Sequence, residues 1–289
     1  MGNPSPETPT LTFIAGIHGL EKIGSEVVLA FLDTLIQRLE WDQSLITGLE
    51  KCCIHFIPIA NPVGSVMNTR SNGNHVDLMR NAPIDAEKRP PWLVGGHRLH
   101  KHIPWYRGKK GDEMEPETLA LCDFIENNLF TTPFNIVLDC HSGFGFEDRL
   151  WFPFAYSKKP IYHLSEIYAL KRLLNQTYPH LNYVFEPQSK HYTAHGDLWD
   201  YLYLKSLEKN TIFLPLTMEM GSWRWVKKNP RQLASISGLF NPTIPHRLKR
   251  VLRQHIVLME FLIRAVRSYQ NWQPFAEKRA HLHSEAVRY

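Results

Sequence analysis

Cysteine is scarce in this sequence, and its arrangement excludes one common kind of metal site. The 289 residues contain four cysteines, Cys52, Cys53, Cys122 and Cys140, and no Cys-x-x-Cys pair that would indicate a cysteine-ligated metal. Cys52 and Cys53 begin one apolar run and Cys140 ends another, which favours buried free thiols in a reducing compartment. We therefore expect a cytoplasmic protein.

Long apolar runs, an export signal and a strong charge of one sign are also missing. No apolar stretch reaches about 18 residues, the length that a membrane-spanning helix needs. The first residues, Met-Gly-Asn-Pro-Ser-Pro-Glu, lack the basic start and apolar core of a signal peptide. The formal net charge of +5 is too small to indicate nucleic acid as a partner. With 43% hydrophobic and 21% charged residues, the composition is that of an ordinary globular protein, and we expect neither a membrane nor a nucleic acid as partner.

Short apolar runs alternate along the chain with segments of helical periodicity. This alternation is typical of a layered α/β fold with a largely parallel sheet, in which ligands gather beyond the carboxyl ends of the strands. The predicted strands are 11–17, 53–59, 134–139 and 211–217, and the predicted helices are 24–39, 116–129, 161–175 and 243–268. His18, Asn61 and His141 each follow a predicted strand, so we expect them at one edge of the sheet.

The length suits one catalytic domain, which we place at residues 1–273. Within the irregular stretch 60–115, residues 84–112 are predicted to form a surface excursion beside the site, because long loops are uncommon unless functional. The histidines of this stretch are interpreted as solvated loop residues rather than as a second metal site; they are His75, His97, His100 and His102. The polar residues 274–289 are predicted to form a flexible tail.

A possible pair of metal ligands lies in the turn after the first predicted strand, which reads His18-Gly-Leu-Glu21. A histidine and a carboxylate three residues apart can contact one metal ion, and both are good zinc ligands. Because His-x-x-Glu is frequent by chance, a polar turn of no special function is the alternative. A catalytic zinc usually takes three protein ligands and a water, so a third ligand must come from elsewhere.

A second possible ligand is His141, which ends the predicted strand 134–139 in the pattern Asp-Cys-His-Ser-Gly. Asp139 lies two residues earlier, hence on the same face of the strand, where its carboxylate can orient the imidazole. The alternative is a histidine that only caps the strand.

A lone glutamate, Glu219, lies near the end of the last predicted strand. A buried carboxylate is costly without a partner, whereas beside a metal-activated water it is a natural general base. The alternative is a glutamate that faces solvent at the strand end.

Together these stretches resemble the zinc carboxypeptidase family, the metallocarboxypeptidase clan that also includes succinylglutamate desuccinylase and aspartoacylase-like enzymes. The resemblance runs from about residue 11 to 240, and its motifs occur in the family's order. These motifs are His18-x-x-Glu21, Asn61-Pro62-Val63-Gly64, Thr69-Arg70, Asp77-Leu78-Met79-Arg80-Asn81-Ala82-Pro83, Glu115-Pro116-Glu117-Thr118, His141, Tyr192-Thr-Ala-His-Gly196 and Thr217-Met218-Glu219.

The resemblance implies a three-layer α/β/α sandwich with a mixed, mostly parallel sheet of eight strands. It also implies one zinc ion per chain, held by His18, Glu21 and His141. Glu219 is then the base that takes a proton from the zinc-bound water and passes it to the leaving amine.

The resemblance implies further roles around the metal. Arg70 polarises the scissile carbonyl and stabilises the oxyanion, and Arg80 binds a substrate carboxylate through its bidentate fork. Tyr192 closes over the bound substrate. Asn81 and Trp199 complete the residues predicted to bind substrate, with Trp199 at the position that helps to define the side-chain pocket.

Two departures from the family pattern bear on specificity rather than on the metal. Met79 replaces the asparagine that usually precedes the carboxylate-binding arginine, and Ala82 replaces a phenylalanine. A tryptophan at position 199 is expected to make the side-chain pocket small or closed. We therefore expect an unusual or small substrate, such as a short peptide, a peptidoglycan fragment or an acyl-amino acid.

The function predicted from the sequence is hydrolysis of an amide bond by a metallocarboxypeptidase that removes a C-terminal residue. One alternative is an N-acyl-amino-acid deacylase of the succinylglutamate desuccinylase type, which shares the metal site but usually lacks a tyrosine loop like 192–200. The other is a catalytically silent protein that binds zinc or a peptide. The sequence does not indicate the oligomeric state.

Overall fold

One six-stranded mixed sheet forms the centre of the protein, whose computed structural model describes residues 1–287. The strands are β1 (Thr10–Ala15), β2 (Cys53–Ile57), β3 (Phe134–Ser142), β4 (Arg149–Phe152), β5 (Val184–Pro187) and β6 (Ile212–Met220). Their order across the sheet is β2-β1-β3-β6-β4-β5. All neighbouring strands are parallel except β4 and β6, which are antiparallel.

Eleven α-helices occur in the described part of the chain. They are α1 (Lys22–Arg38), α2 (Gln43–Leu49), α3 (Pro62–Met67), α4 (Pro116–Asn128), α5 (Leu164–Thr177), α6 (Leu198–Ser206), α7 (Trp223–Lys228), α8 (Ile236–Phe240), α9 (Pro245–Arg267), α10 (Tyr269–Trp272) and α11 (Ala276–Val287). Helices α1 and α9 pack on each other and on β1 and β3, while α6 packs on β6 and α4. Every residue of β3 is buried, as expected for a parallel strand with helices on both faces.

The predicted elements are confirmed where their pattern is long and regular. The strands predicted at 11–17, 53–59, 134–139 and 211–217 correspond to β1, β2, β3 and β6, and the four predicted helices correspond to α1, α4, α5 and α9. Strands β4 and β5 were outside the prediction, because four residues are too few to establish a period.

The sheet has six strands in the described residues rather than the eight that the family resemblance implies. The excursion 84–112 adds no strand, and its backbone pairing amounts to an isolated bridge between His97 and Tyr106. Two adjacent prolines and two adjacent glycines interrupt this segment, and neither residue type sustains a ladder of hydrogen bonds.

Residues after 274, predicted to form a flexible tail, are largely helical in the structure. Helix α11 packs on α5, with the Leu282 side chain buried. Arg279 connects the two helices, because its Nε donates a 2.8 Å hydrogen bond to Glu166 and its carbonyl accepts one from Ser165. The buried Leu282 and the ion pairs Arg279–Glu166 and Glu285–Arg172 hold the helix, and a polar composition does not reveal such contacts. Positions 288–289 lie outside the described residues.

The pairing register of β3 and β6 brings two of the predicted site residues together. His141 of β3 lies directly opposite Glu219 of β6, and Ala15 of β1 lies opposite Cys140. Three parallel strands therefore end together, with His18 in the turn just beyond β1. This is the edge at which the sequence predicts the site.

The four cysteines are buried and free, as expected from their positions. Burial raises the pKa of the Cys140 thiol well above its usual range, with the charge of Asp139 adding to the shift. No helix among the described residues is long and apolar enough to span a membrane.

Candidate active site

The three predicted metal ligands meet at one point in the structure. Suitable ligand atoms of His18, Glu21 and His141 all lie within 4.8 Å of one another, and each of these residues is buried. Nδ1 of His18 lies 2.9 Å from Oε1 of Glu21, and Nδ1 of His141 lies 3.1 Å from Oε2. The two Nδ1 atoms are 3.2 Å apart. The two imidazoles and the carboxylate thus present three donor atoms toward a common centre.

Carboxylates hold the opposite nitrogens of both imidazoles. Nε2 of His18 lies 3.1 Å from Asp77, and Nε2 of His141 lies 2.6 Å from Asp139. When the two imidazoles are neutral, these contacts favour the Nε2–H tautomers and leave the Nδ1 lone pairs for a metal, as carboxylate–histidine–metal groups do. The orienting role predicted for Asp139 agrees with this geometry.

Burial and the neighbouring charged groups shift the pKa values of the predicted metal ligands. Burial opposes ionisation of Glu21, but the charge of His18 and hydrogen bonds from both histidines lower its pKa well below the usual range. Burial opposes protonation of His141, yet the charge and hydrogen bond of Asp139 raise its pKa well above normal. Glu21 is therefore a carboxylate at neutral pH, which is the form that binds a metal.

The turn that carries His18 has almost no free space around it. A Cβ added to Gly19 would lie 1.9 Å from the carbonyl carbon of Gly64, so the metal turn packs directly on the Asn-Pro-Val-Gly turn. Asn61, predicted at this edge, is structural: its Nδ2 donates to the carbonyl of Ile17 and its Oδ1 accepts from the N–H of Gly64. Asn241 holds the other side, with contacts to the carbonyl of Leu20 and the N–H of Ile23.

Glu219 lies beside the ligand set and is 7% exposed. Its Oε1 accepts a 2.9 Å hydrogen bond from the backbone N–H of Phe144, which fixes the carboxylate near the metal ligands. Burial, together with the negative charge of Glu21, raises the pKa of Glu219 to about 8. At this pKa the carboxyl group is largely protonated at neutral pH, and the positive charge of a bound metal ion would favour the ionised form that a general base requires.

A cavity of about 410 Å³ opens over these residues. Its charged lining consists of the metal-ligand set, Glu219, Arg70 and Arg80. Its apolar wall is aromatic and aliphatic and includes Val94, Trp105, Phe144, Trp151, Ile236 and Phe240. Residues of the 84–112 excursion thus form part of the wall, in agreement with the position predicted for that segment.

Arg70 lines the cavity beside the predicted metal ligands. Its Nε donates a 2.8 Å hydrogen bond to Asp77, and its Nη1 lies 3.4 Å from Glu21. Trp105 faces the guanidinium, with the arginine Cζ 6.0 Å from the ring centroid. These contacts fix the orientation of the Arg70 guanidinium before any substrate binds.

Arg80 and Tyr192 form a second polar group on the cavity wall. The Arg80 side chain is 2% exposed, and its Nη2 lies 3.4 Å from the Tyr192 hydroxyl. Its other contacts are backbone carbonyls, those of Met79 at 3.0 Å and Val94 at 3.4 Å. Among the described residues no carboxylate lies within ion-pair distance of this guanidinium.

Two residues predicted to bind substrate do not line the cavity. Asn81 accepts from the N–H of Glu115 and donates to the carbonyl of Arg107, so it fastens loops behind the site. Trp199 is 2% exposed and donates its indole N–H to Asp139, 2.8 Å away. It lies behind His141, because the first turn of α6 directs its ring at the end of β3 rather than into the cavity.

Several residues of the site were missing from the predicted set. The spacing Asp77-x-x-Arg80 could have indicated Asp77, since a carboxylate near a metal histidine commonly orients it. No pattern marks Phe144, which acts through its backbone N–H, or Phe240, which reaches the cavity from a short helix. Their positions depend on loop paths that periodicity does not describe.

Three strand ends that gather two histidines and a carboxylate, with a buried base beside them, suit metal-assisted hydrolysis. The chain belongs to the zinc carboxypeptidase family, which it matches over residues 2–225. Zinc is the metal of this family, and the His-Glu-His donor set found here suits that metal.

Individual relatives share part of the chain. Carboxypeptidase E of Caenorhabditis elegans is 33% identical over 156 residues, which is 49% of this chain and 32% of that protein. Carboxypeptidase M of Mus musculus is 26% identical over 137 residues, 44% of this chain and 26% of that protein. The matched region therefore spans about a third or less of these curated relatives.

The similarity to solved structures covers more of the chain than the similarity to these relatives does. Thrombin-activatable fibrinolysis inhibitor superimposes with a TM-score of 0.64 at 17% identity, over 90% of this chain and 62% of that one. Carboxypeptidase A of Helicoverpa armigera gives a TM-score of 0.64 at 17% identity, over 91% of this chain and 62% of that one. At this level of identity the likeness concerns the fold.

Proposed function

We propose that this protein is a zinc-dependent carboxypeptidase that removes the last residue of a peptide with a free α-carboxylate. The observation that carries the proposal is Arg80, a buried guanidinium on the cavity wall without a carboxylate partner among the described residues. Burying an unpaired charge is costly, so such a group points to an anionic ligand. A guanidinium accepts a carboxylate through two parallel hydrogen bonds.

The zinc would be held by Nδ1 of His18, Nδ1 of His141 and the Glu21 carboxylate. When bound, it supplies a Lewis acid that lowers the pKa of a coordinated water toward neutrality. Asp77 and Asp139 keep the two imidazoles oriented, and the Ser142 N–H donates a 3.0 Å hydrogen bond to Glu21.

Glu219 accepts the proton of the attacking water at its free carboxylate oxygen, since the Phe144 N–H occupies Oε1. The same oxygen then delivers that proton to the nitrogen of the leaving amine, and the base returns to its starting form. Arg70, held by Asp77, stabilises the negative charge that develops on the carbonyl oxygen.

The wall of the cavity favours an apolar residue next to the cleaved bond. Within residues 1–287 the acidic side chains that line the cavity are Glu21 and Glu219, both engaged in catalysis, so a basic side chain finds no counter-ion there. Phe144, Trp151 and Phe240 offer flat apolar surface instead.

The test compares a blocked tripeptide that carries a free C-terminal carboxylate with the same tripeptide as its amide. We expect the zinc-loaded protein to cleave the acid at least 100-fold faster in kcat/KM, and R80Q to lose most of that difference. R89Q, which alters an exposed arginine of the excursion, is the matched control and should behave as the parent protein.

Equal cleavage of acid and amide by the parent protein would overturn the proposal. N-acyl amino acids with short dicarboxylic acyl groups belong in the same assay. If those are cleaved and tripeptides are not, the protein is a deacylase rather than a carboxypeptidase.

A further inference from the structure

Outside the zinc site, the exposed ring of His102 contacts the rings of two other exposed histidines, His75 and His100. The ring centroids of His75 and His102 are 4.7 Å apart at an interplanar angle of 69°, and those of His100 and His102 are 5.2 Å apart. The zinc-ligand pair His18 and His141 shows almost the same arrangement, at 4.9 Å and 66°. All three are exposed, as the sequence predicts for solvated loop residues, and the fold brings the His102 ring into contact with the other two.

The backbone presents His75 to the cluster from a fixed turn. His75 has a left-handed φ of 64°, and its N–H donates to the carbonyl of Asn72. The buried Asn72 side chain accepts from the N–H of Val76 and donates to the carboxylates of Glu115 and Glu117. A non-glycine residue in this conformation is uncommon and is kept only where its surroundings enforce it.

The other two histidines lie in one turn of the excursion. Nδ1 of His100 accepts a 3.3 Å hydrogen bond from the N–H of His102, and the N–H of Ile103 donates to the carbonyl of His100. A neutral His100 that accepts at Nδ1 carries its proton on Nε2, so binding a metal ion through Nε2 requires that proton to shift to Nδ1 and the long contact with the His102 N–H to open. Desolvation and the charges of His75 and His100 lower the pKa of His102, which favours the neutral imidazole that binds metals.

We propose that His75, His100 and His102 bind a second divalent transition-metal ion. Imidazole suits zinc, copper and nickel ions, and three imidazoles with water complete a common coordination sphere. Ligand atoms of these three residues do not all lie within 4.8 Å of one another as those of His18, Glu21 and His141 do, so the exposed side chains must rotate onto the ion, which is a fast motion.

A metal ion at this cluster connects two loops of the catalytic cavity. His75 lies two residues before Asp77, which orients His18 and Arg70. His102 lies three residues before Trp105, which lines the cavity and faces Arg70. An ion bound by both loops therefore connects the segment before Trp105 to the turn before Asp77, and we expect its binding to slow access of substrate.

The test uses Ni²⁺ as the probe on protein that already carries its zinc. After equilibrium dialysis, the two elements are counted separately by mass spectrometry. We expect one zinc and one nickel per parent chain, and at least a tenfold loss of bound nickel in the double variant H75N/H102N with zinc unchanged. Asparagine is chosen because it tolerates the left-handed backbone at position 75.

The control variant H281N/H283N removes two histidines from α11 and should retain the nickel. Saturating nickel should also lower kcat/KM in the parent protein but not in H75N/H102N. Nickel that binds equally to all three proteins, or fails to bind the parent, would overturn the proposal. Because zinc is counted separately, such a result leaves the assignment of the catalytic metal site untouched.

Discussion

The indole N–H of Trp199 donates a 2.8 Å hydrogen bond to Oδ2 of Asp139, the same oxygen that lies 2.6 Å from Nε2 of His141. Asp197 caps the amino end of α6 and fixes the first turn in which Trp199 lies. A helix on the flank of the sheet therefore sets the direction of a metal ligand through one carboxylate. Trp199 acts as a positioning residue rather than as part of the substrate pocket.

The first prediction concerns this chain of contacts. W199F removes the N–H donor while it keeps an aromatic ring, so Asp139 is free to rotate away from His141. We expect zinc affinity to fall by about 10- to 100-fold, the usual effect of losing an outer partner of a metal histidine. Competition with a calibrated chelator measures the zinc affinity of both proteins.

The matched control is W272F, since Trp272 donates an indole hydrogen bond of the same length to the carbonyl of Ala265, far from the site. If W199F and W272F retain zinc equally well, Trp199 has no positioning role.

The second prediction concerns the base. E219Q keeps the acceptor for the Phe144 N–H and removes the proton acceptor, so kcat should fall by about 10³-fold while the zinc content stays the same. Steady-state kinetics on the tripeptide acid measures kcat, and elemental analysis measures the zinc content. E166Q, which alters another buried carboxyl group at the α5–α11 contact, should leave kcat unchanged. Turnover that survives in E219Q would remove this residue from the mechanism.

The third prediction concerns stability in acid. Burial lowers the pKa of His255 to about 4 from an ordinary 6.5, and its Nδ1 accepts a hydrogen bond from the Tyr183 hydroxyl. The folded state thus binds the proton more weakly than the unfolded chain does. The stabilisation is complete above pH 6.5 and is lost as the pH falls toward 4, by roughly 3 kcal/mol.

Denaturant unfolding at several pH values tests this, with H255Q as the variant and H246Q, an exposed change on the same helix, as the control. The difference in unfolding free energy between parent and H255Q should shrink as the pH drops. A difference that is constant from pH 7 to pH 4 would refute the assigned shift.

The fourth prediction concerns the carboxylate site. Gly196 has a φ of 69°, and a Cβ there would lie 1.9 Å from the carbonyl oxygen of Arg80. G196A must therefore displace Arg80, and we expect KM for the tripeptide acid to rise at least tenfold with zinc retained. Gly111 also has a left-handed φ, 90°, but nothing lies within 4 Å of its Cβ position. G111A thus reproduces the backbone strain, about 1 kcal/mol, without the collision. Equal KM values in the two variants would exclude the displacement.

The metal ligands were predictable because parallel strands end at a common edge. His18 and His141 each follow a buried apolar run, and the pleat puts Asp139 on the same face as His141. Glu219 was predictable for a related reason, since a carboxyl group at the end of such a strand needs a partner. Periodicity places these residues at one edge of the sheet, whereas their assignment as zinc ligands and base comes from the family resemblance.

The direction of Trp199 and the cluster at His75 were not predictable in this way. Both depend on where one segment lies relative to another distant in sequence, such as α6 against β3 or the excursion against the 72–77 turn. The antiparallel strand β4 escaped for a different reason, because its four residues are too few to establish a period. The cytoplasmic location stays a prediction.

The distance along the chain between the two metal histidines, 123 positions, has a consequence for biosynthesis. While the ribosome is still making the first half of the protein, the nascent chain holds His18 and Glu21 but lacks the third ligand. The ligand set closes only after β3 has emerged and docked beside β1. We therefore expect the complete metal site to form only after β3 has been synthesised and has paired with β1.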